Sequence, residues 1–163
     1  MDKSTNYAIN KYQLSALVIC RVLIGWHLLY EGAVKMLNPD WSAAGYLLDS
    51  EGLFKQWFLW MVDTEIILNA IDIIIQWGLI LIGLALILGL LARYASIAGA
   101  IMILMFYLSH PPVIGSEYMM PSEGSYLLVN KNAIECCILV VLFLIPSSYY
   151  IGIDRLLFKN KRI

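Results

Sequence analysis

Between residues 66 and 91 the chain is apolar from end to end, broken only by Asn69, Asp72 and Gln76. A run of that length constrains the fold more than anything else in the sequence. About 20 apolar residues in a helix cover the hydrocarbon core of a bilayer, and in lipid the backbone must satisfy its own hydrogen bonds. Three more runs of this kind lie at 14–34, 94–109 and 126–145. Pro111-Pro112 stops the third and Pro146 ends the fourth. The 163 residues are 61% hydrophobic and 14% charged, whereas a soluble domain carries nearer a quarter charged residues. These features predict an all-α integral membrane protein, a single domain over 1–163 built as a four-helix bundle. The link Leu91-Ala92-Arg93 leaves room only for a tight turn, so the second and third spans form an antiparallel hairpin.

Orientation follows from the lysines and arginines outside the spans. Lys3, Lys11, Arg93, Arg155, Lys159, Lys161 and Arg162 fall on one side. Lys35 and Lys55 fall on the other, beside Asp40, Asp49, Glu51, Asp63, Glu65, Glu117 and Glu123. Both termini and the Arg93 turn are predicted cytoplasmic. The first span is read as retained, because Arg21 interrupts it and Glu31, Gly32 and Lys35 follow where a small-residue cleavage site would stand. The outer connection 41–61 mixes Trp41, Tyr46, Leu53, Phe54, Trp57, Phe58 and Trp60 with polar residues. Such a segment reads as one or two amphipathic helices at the outer interface, where Trp and Tyr favour the headgroup level. It is an anchor in the simpler reading and a lid over a site in the functional one. A net charge of −1 with no basic tract gives nucleic acid no footing. Cys20, Cys136 and Cys137 lie in apolar stretches with no Cys-x-x-Cys pair, and they read as small apolar filler.

Ionisable groups inside a span cost several kcal/mol unless paired, hydrated or used. Here they recur at helical spacing. His27, Glu31 and Lys35 form one stripe at steps of four; Glu65, Asn69, Asp72 and Gln76 form a second; Lys131 and Glu135, with Asn130 and Asn132 adjoining, form a third. From a rise of about 1.5 Å per residue, Arg21 and Glu135 differ in depth by about 5 Å, which predicts a pair. Lys131 is placed to meet Glu31 or Asp72, and His110 stands at the outer end of the third span. The set amounts either to interhelical fasteners or to a polar cavity, and five formally charged side chains exceed what fastening needs. Glu135, Glu31 and His27 are candidates for proton handling, histidine being the side chain that changes charge nearest neutral pH. No spacing supports a metal site, and nothing matches a phosphate loop, nucleophile elbow or dinucleotide fingerprint.

The order of short motifs adds a resemblance. Arg21-x3-Gly25, Glu31-Gly32-x2-Lys35 and Asn38-Pro39-x-Trp41 resemble the opening of DoxX-family membrane proteins. Leu88-Gly89-Leu90-Leu91-Ala92-Arg93 resembles the family's second-to-third helix link. Asn130-Lys131-Asn132-x2-Glu135 and Gly152-Ile153-Asp154-Arg155 resemble its fourth helix and tail, close to the DoxD-type small subunit of thiosulfate:quinone oxidoreductase. The resemblance implies a four-helix protein of the bacterial cytoplasmic membrane and a quinone-linked redox subunit, with quinone as its ligand and a partner subunit or second copy beside it. None of the cysteines reads as a thiosulfate-handling dithiol. The rival expectation is a non-enzymatic membrane scaffold, or a partner that holds a small molecule or lipid for another enzyme. A small transporter is the third, with little room in four helices and no inverted repeat.

Overall fold

The computed structural model describes residues 9–112, 118–119 and 127–158. Lys3, Glu117, Glu123, Tyr126, Lys159, Lys161 and Arg162, used above to assign sides and span limits, lie outside the described residues. The described chain is helical, with no strand among those residues. Its helices are α1 (Lys11–Leu37), α2 (Ala44–Leu48), α3 (Lys55–Asp63), α4 (Glu65–Leu88), α5 (Ala92–Ser109), α6 (Lys131–Leu144) and α7 (Asp154–Leu157). A 3-10 turn at Ser147–Tyr149 links α6 to α7. Three of them, α1, α4 and α5, are long and apolar enough to cross a membrane, as an integral membrane protein requires.

The fourth span differs from expectation. α6 is 14 residues long and begins at Lys131, not near 126. Leu127 has a left-handed backbone (φ 64°), and Asn130 turns its side chain back to accept from the Ala133 N–H at 3.0 Å. An asparagine N-cap of this kind fixes where a helix starts. The Asn130–Lys131–Asn132 motif is therefore the opening of a helix and not its interior.

Local chemistry explains the other ends. Asn10 and Gln13 form a capping box at the start of α1, and Pro39 follows its end. Gly89 closes α4 in the left-handed region (φ 65°), a conformation glycine adopts without steric cost. Leu91, also left-handed at φ 48°, then reverses the chain into α5. The turn therefore sits at 89–91 and Arg93 belongs to the first turn of α5.

Lipid offers no hydrophobic drive for helix association, so packing and close backbone approach hold such bundles together. α1 lies along α4 where Gly25 faces Gly83 and Gly32 faces Leu79 and Ile80. A Cβ on Gly83 would come within 2.5 Å of the Leu29 backbone nitrogen, and one on Gly32 within 2.8 Å of Ile80 Cγ1. α5 lies along α6, with Gly99 close to the Leu139 side chain. The core joins the two pairs through Ile24, Leu28, Leu79, Leu86, Ile103 and Leu139. α1 meets α6, and α4 meets α5, over fewer residues. Those looser seams are where the cavities lie.

The connection between α1 and α4 contains two short helices, α2 and α3. Ala43, Leu47 and Phe58 pack as a small second core against Leu68, Ile71, Ile75 and Leu108 of α4 and α5. Leu53, Phe54, Trp57 and Trp60 remain exposed.

Candidate functional site: a polar chamber between α1, α4, α5 and α6

The looser contact of α1 with α6 leaves a chamber of about 300 Å³. Its polar wall is supplied by His27, Glu31 and Lys35 from α1 and by Lys131 and Asn132 from α6. Leu28, Ile75, Leu79, Ile103 and Phe106 form the apolar remainder, and Trp41, Ser42, Ala43 and Tyr46 close one side. The α1 stripe thus faces one space, as its i, i+4, i+8 spacing requires.

Within the chamber the charges are paired in ways that leave donors facing inward. Lys35 Nζ bonds Glu31 Oε2 one turn away and lies 6.0 Å from the centroid of the Trp41 ring. Both partners are partly exposed, so the ion pair contributes modestly to stability. His27 Nε2 stands 3.4 Å from Glu135 Oε1, tying α1 to α6 across the looser seam. Lys131 lines the same chamber as Glu31. The chamber offers ammonium and amide side chains and apolar walls in one volume, with the His27–Glu135 contact at its edge. Ligand sites have this makeup: mostly apolar surface with a few convergent polar groups.

Arg21, Asp72, Asn130 and His110 lie elsewhere, and Glu135 meets the site through His27. Arg21 does not pair with Glu135. It is 3% exposed, its Nη1 donates to Ser147 Oγ at 3.2 Å, and the charge nearest it is Asp154. Its Nε makes no hydrogen bond among the described residues. The expected pairing failed because depth alone ignores direction. The side chain extends toward the α4–α5 turn, against Gly89, and away from the chamber. Asp72 serves the fold: its Oδ1 accepts from the Ala43 N–H at 2.7 Å and so pins the start of α2 to α4. Its stripe is not uniformly inward, since Glu65 and Asn69 are exposed. Asn130 caps α6 and positions Lys131 and Asn132 without lining the chamber.

His110 belongs to a neighbouring cluster at the end of α5. Its ring stacks on Tyr46 with centroids 3.8 Å apart and lies 4.6 Å from the ring of Tyr118. Its Nε2 is 3.6 Å from Asp49 Oδ2, and Asp49 Oδ1 accepts from the Met119 N–H at 3.0 Å. Burial pushes the His110 imidazole below the usual histidine range, against the pull of Asp49 and Glu51. Burial, with the nearby Tyr118 and Asp49, pushes the Tyr46 phenol well above its ordinary value. Tyr46 therefore stays a neutral donor, and its hydroxyl bonds the Phe106 carbonyl at 3.0 Å. This cluster latches α2 onto α5 and fixes one wall of the chamber.

Sequence reasoning left Ser42, Asp49 and Phe106 unassigned. Asp49 carried a signal: an acidic residue directly after the Leu47-Leu48 pair, in a segment otherwise read as interfacial. Phe106 carried none, being one aromatic among many apolar residues of a span. Cys136 donates weakly to the Ala100 carbonyl at 3.6 Å, an α6–α5 contact in keeping with packing. Among the described residues no three of His, Cys, Asp and Glu gather around a common point. Comparison of the chain with protein-family models, with curated proteins and with solved structures gives no match.

Proposed function

We propose that this is an integral membrane protein of the DoxX type, with four membrane helices counting α6, whose chamber binds a quinone and which works as a redox subunit beside an electron-donating partner. The observation that carries the reading is the chamber itself: His27, Lys35, Lys131 and Asn132 converge on one volume otherwise walled by apolar side chains. Lys131 and Asn132 are suited to donate hydrogen bonds to carbonyl oxygens. A quinone takes up two electrons and two protons when it is reduced. His27 and Glu135, in contact at 3.4 Å, form a pair through which a proton can be held and passed. The apolar walls suit a flat ring and exclude bulk water.

The proposed setting is the bacterial cytoplasmic membrane, with both termini inside. Arg93 and Arg155 support this, since both stand at the α4–α5 turn end of the molecule, where Asp154 bonds the start of α5. In the same setting α2 and α3 lie at the outer interface. Titrating a quinone into the purified protein in lipid nanodiscs, with tryptophan quenching as readout, tests the proposal. Saturable binding that weakens about tenfold, or 1.4 kcal/mol, in Lys131→Ala is expected. A flat titration in the wild type overturns it.

One observation favours a second reading, that of a membrane scaffold. Leu53, Phe54, Trp57 and Trp60 offer an apolar outer face beyond the small core that α2 and α3 build. Loss of membrane attachment by an associated enzyme in a Leu53→Ser, Trp60→Ser variant, with quinone binding intact, would support that role.

A further inference from the structure

The fold holds a second cavity, of about 270 Å³, at the other loose seam, between α4 and α5. Leu47 and Phe58 roof it, and Ile74, Met102 and Met105 form its sides. Its walls are aliphatic and aromatic apart from Ser109, so it has nothing with which to hold a polar group. Toward the outside of the bundle it reaches Ile74 and Ile101, which are 60% and 56% exposed and in a membrane face lipid. Toward the inside it ends on Tyr46, Ile75 and Phe106, and these same three residues line the polar chamber. One layer of side chains separates the two spaces.

We infer that the two cavities form one binding site for an amphiphile with a compact, acceptor-rich head and a single long apolar chain. The head occupies the chamber, and the chain runs past Ile75 and Phe106 through the α4–α5 groove to the bilayer. This rests on the proposed binding role of the chamber and adds the tail. The wall that the groove shares with the chamber, Tyr46, Ile75 and Phe106, argues for that occupant over a boundary lipid once the Ile75 or Phe106 side chain swings aside. A boundary acyl chain needs only a smooth outer face, whereas this groove leads inward to the chamber wall. The methionines fit the task, because unbranched thioether side chains adapt to a flexible neighbour.

Energetics divide the work between the two parts. A chain that leaves bilayer hydrocarbon for an apolar groove gains little hydrophobic free energy, since the two media are alike. Affinity is therefore set by the head, and the groove sets orientation and selects for a chain. Tyr46, held by its bond to the Phe106 carbonyl, is the positioning residue of the shared wall.

Photolabelling in nanodiscs tests this, with a quinone that bears a diazirine on its isoprenoid chain. The expected result is saturable labelling of α4 and α5 within residues 71–75 and 98–106, displaced by the same quinone ring without a chain. Ala98→Trp, which fills the groove from its lipid side, should cut the saturable label about tenfold while ring-only affinity stays within about twofold. Saturable ring binding with the label elsewhere, or with groove labelling that the ring does not displace (an ordinary boundary lipid only), overturns the inference and leaves the chamber's role standing. Absence of saturable ring binding overturns both. An unchanged label in a folded Ala98→Trp protein also overturns the inference, and the wild-type labelling pattern decides the matter if that variant fails to fold.

Discussion

Two of the places where the described residues gather charge use it differently. At the turn end, Arg21 and Asp154 are almost fully covered, at 3% and 1% exposure. Asp154 accepts from the Leu91 and Ala92 N–H groups at 2.6 and 3.1 Å. A carboxylate there supplies the cap that α5 lacks in its own sequence and complements the positive end of the helix dipole. At the chamber end, the charged side chains of His27, Glu31 and Lys35 are a fifth to two fifths exposed and surround open space. Charges of the first kind specify packing. Charges of the second kind keep hydrogen-bonding capacity directed at a cavity. Polar residues of similar hydropathy and depth thus serve opposite ends, and the difference lies in whether backbone or empty volume faces them.

The sharpest way to break this contrast is Asp154→Ala. It leaves two buried backbone donors without their acceptor and should cost about 3 kcal/mol or more of stability, read as a fall in Tm of the detergent-solubilised protein. Unchanged Tm with lost ligand binding would erase the distinction between the two ends. Lys131→Ala should do the reverse. It should weaken quinone binding about tenfold while stability moves within about 0.5 kcal/mol.

A third measurement concerns the latch beside the chamber. The His110 imidazole is held below its unfolded value, so the unfolded form takes up a proton first as pH falls. The latch is at full strength above about pH 6.5 and weakens as pH drops from there toward the lowered native value. Asp49 and Glu51 oppose the shift, the neutral Tyr46 stacks on the ring, and the ring of Tyr118 lies beside it. Hydrogen exchange of the α2 amides should accelerate below that pH in the wild type and lose the dependence in His110→Gln. The smallest effect is the most specific. In double-mutant cycles, His27 with Glu135 should couple by about 0.5 kcal/mol, as a partly exposed pair does, whereas Arg21 with Glu135 should couple by less than about 0.3 kcal/mol. A larger Arg21–Glu135 coupling would restore the pairing that depth alone suggested.

Much of this was legible because periodicity is local. The three long helices, the tight α4–α5 reversal, the glycine faces and the inward stripe His27–Glu31–Lys35 follow from spacing along one element. That Lys131 and Glu31 share a chamber was also within reach, since both lie on marked faces near one end. What escaped needed direction or distance in three dimensions. Arg21 has a long side chain, and its depth did not reveal that it runs toward Gly89. Asp72 sits in a polar stripe yet bonds a backbone amide 29 residues earlier. Asn130 looked like part of a buried polar wall and is a cap, which shortens α6. The second cavity was invisible, because it is made of the same isoleucines and methionines as any lipid-facing helix.

The Asp154 cap has a consequence for how the protein is made. A ribosome completes Leu91 63 residues before Asp154, so α5 enters the membrane with its first amides unclaimed. The α4–α5 hairpin is consequently provisional throughout synthesis of α6. It becomes final only when the tail folds back and Gly152 settles against Gly89, where a Cβ on Gly89 would lie 2.8 Å from the Gly152 Cα. Asp154→Ala, which removes that acceptor, should leave the α4–α5 hairpin of the finished protein protease-sensitive, whereas the wild type should resist.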